Sequence, residues 1–169
     1  LNLDNKIKFL KTHFLNCKID KYNFTNQNNT LGTIHIVRDP RNVISSLKNH
    51  YSLKDYNEAS EFLFNEQKWI VDKEDKQLIH APTLLSSWGT HYNMWKKSKK
   101  NYLLIKYENL INNPFEEFEK LKVYIENLLK INIDMEIFQN AIESTSFDKL
   151  KKMENENEFF ENSIEENNK

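Results

Sequence analysis

The run Thr33-Ile34-His35-Ile36-Val37, continued directly by Arg38-Asp39-Pro40, constrains this chain more than any other stretch. Four of its five residues branch at Cβ, which stiffens the side chain and suits the pleated surface of a central strand. The next residues stop that strand and start a helix. Asp39 can accept the free N–H groups of a first helical turn, and Pro40 fits the first helical position because it has no N–H to leave unpaired. Beyond it, Val43, Ile44, Leu47 and Tyr51 make one apolar face. Asn42 and Ser46, four apart, stack on another face directed away from that stripe. The predicted unit is strand, tight turn, helix, with Arg38 at the strand's carboxyl end.

The rest of the chain repeats the alternation. Residues 7–13 alternate loosely and end in Lys11-Thr12-His13, which predicts a short strand with polar groups at its end. Residues 16–30 are polar and rich in asparagine, and read as a loop. Helical spacing covers 57–70, with Phe62, Leu63 and Trp69 for burial, and 71–80 forms a charged connection. A longer helix is predicted over 83–97, where Leu84, Leu85, Trp88, Tyr92 and Trp95 recur at three and four. Tyr102-Leu103-Leu104-Ile105 predicts a second core strand, ending at Lys106-Tyr107-Glu108-Asn109. Helices come after Pro114 and after Asp134, and 154–169 is acidic without an apolar pattern. Strands alternating with helices predict an α/β fold, a mainly parallel sheet flanked by helices. A length of 169 residues predicts a single domain over residues 1–169.

Composition removes several classes of function. The net charge of −1 gives no basic excess for neutralising phosphates along a polymer, so no nucleic-acid partner is expected. Cys17 is the only cysteine, which excludes an intrachain disulfide and fits a reducing, cytoplasmic setting. No stretch reaches the roughly 20 apolar residues of a membrane span, so no membrane segment is expected. His35, His50, His80 and His91 form no pair at helical metal-site spacing, and no metal is predicted. Only Gly32 and Gly89 occur, neither in a glycine-rich phosphate loop, so a nucleotide site built from this chain alone would be incomplete. Arg38 and Arg41 are the sole arginines, which marks them as positions where a planar guanidinium fork is needed and a lysine would not serve.

In an open parallel sheet ligands gather at the carboxyl ends of strands. Three predicted strands end in Lys11-Thr12-His13, Arg38-Asp39-Pro40-Arg41 and Tyr107-Glu108-Asn109. A guanidinium from Arg38 and a hydroxyl from Ser46 suit a phosphate oxyanion. The residues alone leave a rival open, in which Arg38 pairs with an acidic neighbour and Ser46 faces water. His13 likewise reads either as a general base or as a strand-end histidine satisfied by backbone.

The stretch from Thr33 through Arg38 to Ser46 resembles the 3'-phosphate-binding motif of sulfotransferases that use 3'-phosphoadenosine-5'-phosphosulfate, PAPS. Its arginine and serine are eight apart, as in that motif. Trp88-Gly-Thr-His91-Tyr-Asn-Met-Trp95 is similar to the family's tryptophan, histidine, tryptophan helix. Leu103-Leu-Ile-Lys-Tyr107-Glu-Asn-Leu110 is similar to the strand whose tyrosine contacts adenosine. Thr145-Ser146-Phe147 resembles the loop beside the adenine, and Lys11-Thr12-His13 the element carrying the catalytic histidine and lysine. The resemblance implies a P-loop-nucleotide-hydrolase-like fold and transfer of a sulfuryl group from PAPS to a hydroxyl or amine of a small-molecule or glycan acceptor. It implies His13 as base and Lys11 at the transferring group. Arg38 and Ser46 would hold the 3'-phosphate, and Tyr107, Thr145 and Phe147 would border the adenosine.

The family's N-terminal phosphosulfate-binding loop and its C-terminal Arg-Lys-Gly element have no counterpart here, which implies a truncated, partial domain that is inactive alone. Two other readings stay open: a nucleotide kinase of related fold, from the same strand-to-helix phosphate geometry, and a helical interaction module, from the aromatic stripe and acidic tail.

Overall fold

The computed structural model describes residues 7–26, 28–70, 82–98 and 101–156. Its main ladder joins β3 (Thr33–Val37) to β6 (Tyr102–Lys106) in parallel, paired from Thr33↔Tyr102 to Val37↔Lys106. Before it, β1 (Lys18–Ile19) and β2 (Tyr22–Asn23) form a hairpin whose tight turn places Asp20 at φ 53. Asp tolerates that left-handed backbone because its short side chain bonds locally. Between the two parallel strands run α1 (Pro40–His50), α2 (Tyr56–Phe64), the short antiparallel pair β4 (Trp69–Ile70) and β5 (Thr83–Leu84), and α3 (Trp88–Lys96). After β6 come α4 (Tyr107–Asn112), α5 (Pro114–Leu129), α6 (Met135–Ser144) and α7 (Phe147–Glu156). The result is a mixed helix-and-sheet fold with a parallel pair at its centre.

The helix starts obey local chemistry. Asp39 accepts from Arg41 N at 2.9 Å, with Pro40 in the first turn. Asp55 caps α2 through Asn57 N and Glu58 N, and Asp134 caps α6 through Glu136 N. Each accepts N–H groups that have no partner within the helix.

Three expectations are corrected. Residues 7–13 form no strand: Ile7, Phe9 and Leu10 are exposed, Leu10 by 85%. Alternation becomes a strand only when a neighbour supplies ladder hydrogen bonds, and none of the described residues does so here. Second, the helix over 57–70 ends at Phe64, because Trp69 and Ile70 pair with Leu84 and Thr83 instead. Third, the helix over 83–97 begins only at Trp88. Ser86 turns at φ 62, Ser87 caps Thr90 N, and Glu66 accepts from the hydroxyls of Ser86, Ser87 and Thr90 at 2.8–3.0 Å. Those bonds, from Ser87 first, hold the Glu66 carboxyl below its usual range. The region 71–80 and the tail from 157 lie outside the described residues.

The composition of β3 predicts a central strand, yet among the described residues it has one neighbour. Its Ile36 is 59% exposed, while the Ile105 opposite is 2% exposed. On the other face His35 is buried against α3 among the rings of His91, Tyr92, Trp95 and Tyr102, with centroids 5.8–6.5 Å away. Trp95 meets Phe24 edge-on, Phe24 stacks on Phe14, and Phe14 meets Trp69. This aromatic cluster fastens the N-terminal segment to the sheet around the buried Trp95, while Phe24 and Trp69 stay partly exposed at its rim.

Candidate active site

The last pair of the parallel ladder is Val37↔Lys106, so Arg38 and Tyr107 leave the sheet side by side. The Arg38 guanidinium carbon lies 4.7 Å from the centroid of the Tyr107 ring, a cation–π contact that sets its direction. Tyr107 opens α4, and the next residue, Glu108, accepts from Asp39 N at 2.8 Å. The backbone N–H of Asp39 and the side chain of Asn42 hold the Glu108 carboxyl below its usual range, while the charge of Asp39 opposes them. One strand end therefore fixes the turn of the other.

Inside that turn Asp39 serves as cap and counter-ion. Its carboxylate takes Arg41 Nε at 2.9 Å and Nη2 at 2.5 Å, so its pKa falls to about 2 and that of Arg41 rises. Arg41 is thereby engaged within the turn. Arg38 is different: its Nε is buried and has no acceptor among the described residues. A buried donor without a partner costs about 1–3 kcal/mol, which an anion placed there would recover. The rival pairing of Arg38 with an acidic neighbour is not what the turn shows, since both nearby carboxylates hold other groups.

Ser46 lies exposed on the second turn of α1, on the same side as exposed Asn42. His13, Lys11 and Thr12 are exposed, and Thr12 Oγ1 accepts from Phe14 N. The His13 carbonyl lies 3.2 Å from His91 Nε2. The His91 ring sits 6.2 Å from His35, which is three residues before Arg38 on β3. Thr145 ends α6 and donates its hydroxyl to the Ala141 and Ile142 carbonyls, engaging its own helix rather than the strand ends. Phe147 begins α7, and its side chain lies outside the described part of the structure. Among the described residues no cluster of three or more His, Cys, Asp or Glu could hold a metal ion, and no helix is long and apolar enough to cross a membrane.

At the paired strand ends the Arg38 guanidinium is thus seated on the Tyr107 ring with its buried Nε lacking an acceptor among the described residues. The family model described as sulfotransferase domain matches residues 1–169, the whole chain. The chain belongs to the sulfotransferase family. It is accordingly a transferase by family.

Sequence reasoning misses two contacts of this sulfotransferase. In the sequence Glu108 is part of a polar strand end and His91 part of the tryptophan, histidine, tryptophan helix, and neither is given a partner. Both act on backbone groups of segments far away in the chain, Asp39 N and the His13 carbonyl. No local pattern could signal either contact.

Proposed function

We propose that this chain belongs to a sulfotransferase with a P-loop-nucleotide-hydrolase-like fold that takes its sulfuryl group from PAPS. The observation that carries the reading is Arg38, whose buried Nε lacks an acceptor among the described residues at the carboxyl ends of two parallel strands. A 3'-phosphate would supply that acceptor, with Ser46 as a second donor and the Tyr107 ring beside the adenosine. Thr145 and Phe147 would border the base once the C-terminal helices close on the nucleotide. The Thr145 hydroxyl would first have to leave its own helix.

His13 would take the proton of the acceptor hydroxyl or amine as its oxygen or nitrogen bonds to sulfur. The bond from sulfur to the 5'-phosphate oxygen breaks, and the electron pair leaves on 3'-phosphoadenosine-5'-phosphate. Lys11 would stabilise charge on the transferring group. The acceptor would be a small molecule or glycan, and the single cysteine fits work in the cytoplasm.

The test is calorimetric binding of 3'-phosphoadenosine-5'-phosphate to the full-length protein, alongside turnover. Arg38→Ala should weaken binding about 10- to 100-fold, the loss of a charge-assisted pair. His13→Ala should abolish turnover and leave binding intact. Undiminished affinity in Arg38→Ala would refute the nucleotide assignment, and normal turnover in His13→Ala would refute the base.

A further inference from the structure

We propose that His91 is a positioning residue for His13, holding the backbone from which the base projects. The inference rests on the reading of His13 given above. His91 and Trp95 are four apart on α3 and so present their side chains one above the other. His91 Nε2 meets the His13 carbonyl at 3.2 Å, and Trp95 Nε1 donates to the Phe14 carbonyl at 3.1 Å. Two donors one turn apart thus hold two successive carbonyls of a segment that has no strand ladder among the described residues.

The two contacts do different work. Phe14 and Leu15 are secured in other ways: Phe14 stacks on Phe24 at 5.0 Å, and Leu15 is buried with its N–H on the Leu84 carbonyl at 2.7 Å. Asn16 reaches the Met94 carbonyl. His13 is exposed and lies just beyond this anchored stretch, so the His91 bond holds the peptide from which the imidazole projects. Since a carbonyl only accepts, His91 must carry its proton on Nε2. Burial, first, and the neighbouring charge of His13 hold His91 below the ordinary histidine range, against the pull of the His13 carbonyl; it therefore serves as a neutral donor. Removing that donor would let the base swing while the aromatic anchor keeps the fold.

The test uses the full-length protein with His91→Phe and His91→Met, which lack the donor, and His91→Gln, which keeps an N–H. Release of 3'-phosphoadenosine-5'-phosphate from PAPS is monitored with para-nitrophenol as acceptor probe. The donorless variants should lose about tenfold or more in kcat, with PAPS affinity within about twofold of the parent, and His91→Gln should recover most of the loss. Independently of turnover, the His13 carbonyl carbon resonance should move upfield in the donorless variants and return in His91→Gln; an unmoved resonance overturns the inference. So does full kcat in His91→Phe and His91→Met, or equal loss in all three variants, which would assign His91 to packing. Unfolding of both donorless variants while His91→Gln folds would assign the bond to stability and also overturn it. Normal turnover in His13→Ala is a separate outcome, which removes the base and this inference together.

Discussion

Gly32 stands one residue before β3, and its value is steric. A Cβ at that position would overlap the Tyr124 hydroxyl and approach Leu128 Cδ2 at 3.0 Å and the Asn101 carbonyl at 3.1 Å. Tyr124 cannot simply swing aside, because its hydroxyl donates to the Asn101 carbonyl at 2.5 Å and lies 3.4 Å from that of Thr33. Asn101 in turn accepts from Thr33 N and donates to the Leu31 carbonyl, so the four residues close the start of the ladder. Gly32→Ala should therefore destabilise the protein by about 1–3 kcal/mol through overpacking. Tyr124→Phe removes the overlapping oxygen, and the pair should show strong non-additivity in a double-mutant cycle read by urea melts. Additive losses would mean that Tyr124 is not the obstacle.

Elements announced by their own residues were legible, and those made by a distant partner were not. Asp39-Pro40, Pro114 and Asp134 each mark a helix start, because a capping carboxylate or a proline at the first helical position acts within one turn. Residues 7–13 carry an alternating pattern but no ladder among the described residues, and Trp69–Ile70 became a strand only by pairing with Thr83–Leu84. The site divides in the same way. Arg38 stands out in the sequence as one of two arginines, at the end of a strand, whereas Thr145 and Phe147 are singled out only by resemblance. The contact of Glu108 has no local signal, since its partner is a backbone N–H 69 residues away. It joins α4 to the turn before α1, which makes a prediction at this scale. Glu108→Ala should loosen the Arg38 turn and weaken 3'-phosphoadenosine-5'-phosphate binding about three- to tenfold, while Glu108→Gln, which keeps an acceptor oxygen, should stay near the parent. Calorimetry would decide, and parental affinity in Glu108→Ala would show that the turn holds itself.

For the molecule as a whole, the aromatic cluster around His35 is where the N-terminal segment, α3 and the parallel pair meet, and it makes stability depend on pH. His35 Nδ1 lies 2.6 Å from the Tyr102 hydroxyl, with Tyr92 and Trp95 as apolar walls and His91 as the facing titratable ring. Burial first, and the charge of His91 second, lower the His35 pKa from 6.5 to about 4. Between those values the unfolded chain binds a proton that the folded chain does not. Stability is therefore full above pH 6.5 and falls as acid is added down to about pH 4. His91 is shifted in the same direction and steepens the slope. The carboxylates act in a lower window: Asp39, held near 2, loses its contribution only as pH falls from 3.8 through about 2. Acidification from pH 7 to about pH 5 should thus lower the unfolding free energy by about 1–2 kcal/mol through His35, at an unchanged denaturant slope. His35→Gln, which leaves the Tyr102 hydroxyl a polar neighbour but cannot take a proton, should flatten the profile over that interval. A variant whose stability declines as steeply as the parent's would place the acid sensitivity outside this cluster.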